Sequence, residues 1–176
     1  MKPRFWWFFI LLNFIFSTTL LGFSNKNSFQ EENLLKKWFE EESFFISLEN
    51  YKEKSLERKN FNLLGTIKIK EKLYKSENSK IKVRVIWGEE LISGWENLLY
   101  RVLKVPKHAL KEIKVKDVLG YLYKKSENKH SIIFPIFKDS RRAFLICFDF
   151  NQLSLNESLS ILERFPLEKF FLGSGS

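Results

Sequence analysis

The sequence predicts an α+β protein: N-terminal helices, then an antiparallel sheet of about five strands flanked by helices. Three observations carry this expectation. Ser28 and Glu31 have capping-box spacing ahead of Leu34, Leu35, Trp38 and Phe39, which share one face of a helix. Two runs, 66–74 and 81–87, alternate apolar with basic residues around a polar turn, as a hairpin does. Ala143–Phe150 is apolar nearly throughout, the pattern of a central strand buried on both faces.

The chain of 176 residues supports one ordinary domain and not two large ones. Hydrophobic residues make up 44% and charged residues 29%, which excludes general disorder and a multi-span membrane protein. With 7 Gly, 4 Pro and 1 Cys, collagen-like, repeat-array and disulfide-scaffold classes fall away. Cys147 lies among apolar neighbours and reads as a buried free thiol packed as a small hydrophobe.

The N-terminus has the order of an export signal. Lys2 and Arg4 precede the apolar run Phe5–Phe16, and small residues Gly22 and Ser24 stand where cleavage after Ser24 would need them. Retained, residues 5–23 are long enough to span a bilayer as a single anchor, which needs roughly 20 residues. No Cys follows the run, so lipoprotein processing is disfavoured. Residues 1–24 are therefore read as signal peptide or anchor and residues 25–172 as one exported domain. Gly173–Ser176 is read as a linker or tag remnant.

Within that domain the first helix is expected over 28–42. A second is expected over 44–59, where Phe44, Phe45, Leu48, Tyr51 and Leu56 keep helical spacing. In the hairpin, Ile67, Ile69 and Leu73 oppose Lys68, Lys70 and Lys72, and Ile81, Val83, Val85 and Trp87 oppose Lys82 and Arg84. The expectation is one dry and one basic face. A helix opens at Gly88, carries Leu91, Trp95, Leu98, Leu99, Val102 and Leu103 on its apolar stripe, and ends at Pro106. Residues 107–116 are ambiguous, and 117–124 fit either helix or strand. Residues 132–137 are a strand which Pro135 marks as an edge or as bulged. Ser154 or Asn156 caps a last helix, with Leu155, Leu159, Leu162 and Phe165 inward and Pro166 as its stop.

With 117–124 as a strand, this element order resembles the profilin-like folds, among them roadblock, longin and PAS or Cache-type sensor domains. The resemblance is one of element order alone, so it implies no site residue. The near-repeat of residues 73–80 at 122–129 is put down to similar turn chemistry in a Lys-rich chain.

Charge is segregated. Of 30 basic and 21 acidic residues, 19 basic and 9 acidic fall within 66–142, which suggests an acidic partner surface. For an exported protein the candidates are an acidic protein, an acidic polysaccharide and anionic lipid headgroups. Nucleic acid is disfavoured by the export signal. The partner-binding candidates are Lys75, Lys80, Lys124, Lys125 and Lys129 in the turns, with Arg141 and Arg142. His130 and Asp149 could form a pocket suited to acid–base work; alone, Asp149 reads as an exposed or Arg-paired acid. No cofactor, zinc, nucleophile-elbow or phosphate-loop motif is present. A non-catalytic binding or assembly module is therefore favoured. A sensor-like domain for a small ligand comes second and a hydrolytic enzyme of unknown substrate third.

Overall fold

Strand-forming residues dominate the folded domain. The computed structural model describes residues 44–62, 66–88, 95–137 and 143–170, which belong to one unit, Glu41–Ser176. The strands are β1 (Lys52–Asn62), β2 (Thr66–Lys75), β3 (Lys80–Gly88), β4 (Lys111–Val115), β5 (Val118–Ser126), β6 (Lys129–Phe137) and β7 (Ala143–Asn151). Among the described residues there are two short α-helices, α1 (Trp95–Leu103) and α2 (Leu155–Leu162), and 3-10 turns at Lys107–Ala109 and Leu167–Phe170.

The seven strands form a single antiparallel sheet in the order β1-β2-β3-β7-β6-β5-β4. Two meanders meet where β7 pairs with β3, so the apolar strand lies in the middle, as its composition requires. α1 lies in the connection between the meanders.

This overturns the expected helix-flanked sheet of about five strands. The second helix expected over 44–59 is absent: the chain is extended from Lys52 and forms β1. Phe44 and Leu48 are buried, but as two anchors of a short strap, and two anchors four residues apart do not require a helix. The ambiguous stretch supplies β4, and the fork at 117–124 resolves as β5. The profilin-like order goes with the five-strand count. The helix expected over 28–42, the leader at 1–24, the turn at 138–142 and the tail at 173–176 lie outside the described residues.

The hairpin shows why strand patterns alone mislead about faces. The turn pairs Lys75 with Lys80, so Ile69 stands opposite Ile86, and Lys70 opposite Val85. Paired residues share a face. The apolar row of β2 therefore lies on the opposite face from the apolar row of β3. Both faces carry core, and no face of the hairpin is simply basic: Lys70 is buried among the second layer.

On one face α1 lays Trp95, Leu98 and Leu99 over Ile67, Ile69, Ile86, Leu145, Cys147 and Ile133. Trp95 stacks on Tyr121 with ring centroids 5.0 Å apart. The other face buries Tyr74, Ile81, Phe148 and Phe150 beneath the strap, α2 and the segment after it. Phe165 anchors this layer, 4.9 Å from Phe148 and 5.6 Å from Phe44 between ring centroids. The Tyr74 hydroxyl donates to the Ile46 carbonyl at 2.8 Å, and burial raises its pKa. Glu53 accepts from Ser47 and from the Leu48 amide, and pairs with Lys72 at 2.6 Å. That Lys72 bond, before the others, holds the Glu53 carboxyl below its ordinary pKa.

The last helix matches its sequence signals. Ser154 caps α2 with a reciprocal bond to Glu157, and Leu162 and Phe165 are buried. Leu155, expected inward, is exposed. β6 is not an edge, and its register slips between Pro135 and Phe137, the bulge that accommodates the missing N–H.

Candidate functional site

α1 covers only half of its face. The other half, toward the β2–β3 and β5–β6 turns, carries two transverse rows fixed by strand register. In the end row Lys52 pairs with Lys75, Lys75 with Lys80, Lys80 with Asn151, and Asn151 with Lys129. The inner row runs Lys54, Leu73, Lys82, Asp149, Ser131 and Tyr123. At about 4.8 Å per strand, the end row spans roughly 19 Å. Lys52, Lys54, Lys75, Lys80 and Lys129 are exposed and Lys82 is partly so. Among the described residues none of these six enters an ion pair.

Asp149 is the acid within this field, and it is occupied. It pairs with Arg84, accepts from the Ser131 hydroxyl at 2.6 Å, and lies 3.8 Å from the Lys125 ammonium. This is the Arg-paired acid of the sequence reading. It fixes the floor of the patch and leaves the surrounding lysines uncompensated.

The expected companion, His130, is elsewhere. It pairs in register with Phe150, on the opposite face from Asp149, because neighbouring residues of a strand alternate. His130 is buried, stacks on Phe150 at 5.3 Å and bonds through Nε2 to the Ser158 hydroxyl of α2 at 2.9 Å. Burial first, then the nearby Lys124 charge, lowers its pKa. The pair thus forms no acid–base pocket. His130 instead holds α2 against the sheet.

The other candidates divide. Lys75, Lys80 and Lys129 share one row. Lys125 leans toward Asp149 and sits 5.6 Å over the Tyr123 ring. Lys124 pairs with His130 in register and belongs to the other face. Arg141 and Arg142 lie outside the described residues. Lys52, Lys54 and Lys82 were not among the candidates. The period-two alternation of Lys52 and Lys54 was the available signal for the first two. It was hidden by reading that stretch as helix.

Cys147 is fully buried beside Arg84, and burial pushes its thiol up to about 12, so it is no nucleophile at neutral pH. Among the described residues no group of His, Cys, Asp and Glu could hold a metal ion. No helix there is long and apolar enough to cross a membrane. The chain matches no family model, no curated protein and no solved structure.

Proposed function

We propose that this chain is a small exported, envelope-associated, non-catalytic binding module that holds an acidic partner on its lysine-rich half-face. The observation that carries the reading is the pair of register-aligned rows. They collect Lys52, Lys54, Lys75, Lys80, Lys82 and Lys129 on one surface that no described element covers, around an acid already engaged by Arg84. A concentration of one sign raises the local density of opposite charges and speeds encounter with them. Export is supported by the cationic, apolar, small-residue order of residues 1–24.

The test compares full-length wild type with a fourfold charge reversal at Lys52, Lys75, Lys80 and Lys129. Association with isolated envelope fractions is measured across a salt series. The wild type should bind and release as salt rises, because exposed charges are screened beyond about 10 Å at 0.1 M. Association unchanged by the reversal would sink the reading. Intact mass from fractionated cells tests the export part: material retained in the cytoplasm would remove it.

A further inference from the structure

We infer that the lysine rows form a trough for a linear, carboxylate- or sulfate-bearing polysaccharide. This rests on the reading just given and names its partner. The patch, which no described element covers, is long and narrow. It extends about 19 Å across strands but only about 7 Å along them, one two-residue step. Its borders are unequal to a flat anionic surface. On one side stands α1, a body about 10 Å across, over Cys147 and Ile133, next to the inner row. On the other side the turns beyond the end row carry Glu77 and Glu127, both exposed. A bilayer plane would have to clear the helix and approach two carboxylates before reaching the lysines. A single extended chain lies between these borders.

The chemistry of the floor fits sugar more than an acidic protein. Leu73 lies half-buried in the inner row between Lys54 and Lys82, giving apolar ground for the C–H face of a pyranose ring between charged positions. Every cation of the two rows is Lys and none is Arg. Ammonium groups on flexible stems act as point charges, and they follow anions spaced along a chain without demanding the planar bidentate fit of a guanidinium.

The experiment uses the full chain with a size-defined oligouronate of about ten sugars, an uncharged oligoglucan of equal length, and vesicles containing anionic lipid. Binding is followed by calorimetry at about 50 mM salt, where surface charges are weakly screened. The variants are Lys80→Glu with Lys129→Glu and, for the same change in net charge elsewhere, Lys111→Glu with Lys114→Glu on β4. Thermal melts establish that both are folded. The expected result is binding of the oligouronate and not of the oligoglucan. The row reversal should weaken it about tenfold or more and the β4 reversal less than about twofold, since opposite charges near contact outweigh screened distant ones. Equal losses in both variants would reduce the effect to net charge and overturn the inference. Reversal-sensitive binding of vesicles in place of the oligouronate would also overturn it, while leaving the acidic-partner reading standing. Binding to neither probe would overturn the inference, and together with envelope association indifferent to reversal it would remove the acidic-partner reading as well.

Discussion

Substituting Gly120 by Ala sets two effects of opposite sign against each other, and the structure decides between them. Gly120 lies in β5 opposite Ile113 with backbone angles open to any residue. Replacing a glycine under those conditions ordinarily stabilises a protein by about 0.4–1 kcal/mol, because the unfolded chain loses freedom. Here the added Cβ would stand 2.6 Å from Cε1 and 2.9 Å from Cδ1 of Phe134. Phe134 is fully buried and meets Phe148 edge-on at 6.1 Å, so its ring has no free space to enter. Overpacking of this kind costs about 1–3 kcal/mol. Packing therefore wins, and the net loss is about 1–2 kcal/mol. For a chain of this size that lowers Tm by about 2–8 °C. The assay is thermal unfolding of wild type, Gly120→Ala, Phe134→Leu and the double variant. The smaller Leu should relieve the clash, giving a favourable coupling of about 1 kcal/mol. A Gly120→Ala protein that melts at or above wild type, or strictly additive variants, would refute the reasoning.

Three further outcomes follow from the same packing. Burial depresses the His130 pKa below its unfolded value near 6.5, so the stability it contributes is present above that value. It is lost as pH falls through about 6.5 toward the folded pKa, and His130→Asn should flatten the fall of Tm over that range; an unchanged slope would contradict it. Ser154→Ala should cost about 1 kcal/mol by opening the capping box of α2, read as a lower denaturant midpoint at unchanged m-value. Cys147 should resist thiol reagents in the native protein and react only on unfolding, and stoichiometric labelling of folded protein within minutes would contradict its burial.

What the sequence disclosed was local, and what it hid was register. The N-cap of α2, read as Ser154 or Asn156, the central apolar strand, and the edge or bulge marked by Pro135 each depend on a few neighbouring residues, and each was legible to that extent. The pairing of Lys70 with Val85 depends on where the turn between Lys75 and Lys80 closes, and one residue's difference exchanges the two faces. β1 was concealed for another reason. An edge strand pairs on one side, and Lys52–Asn62 carries few apolar residues to mark its period. The candidate site followed suit. Lys75, Lys80 and Lys129 were legible as basic turns, but their union through Asn151 needed the sheet order. Asp149 and His130 look close in sequence-paired strands, yet alternation sends them to opposite faces.

Wetting alone accounts for polar residues on the half-face that α1 leaves open, since the same strands bury Tyr74, Ile81 and Phe150 behind it. Lysine on β1 also discourages edge-to-edge pairing of sheets. Neither requirement, however, fixes a single sign. A surface of interspersed acids and bases is as soluble and repels itself less. Within the two rows the acids are displaced or engaged: Asp149 is held by Arg84, Glu53 turns to Lys72 on the opposite face, Glu77 and Glu127 stand in the turns, and Glu71 lies one step beyond the inner row, opposite Arg84. Six lysines remain within two rows, where their mutual repulsion opposes folding. A bound polyanion would remove that repulsion and stabilise the fold by linkage. The segregation of sign, more than the number of lysines, is therefore the feature that calls for a partner.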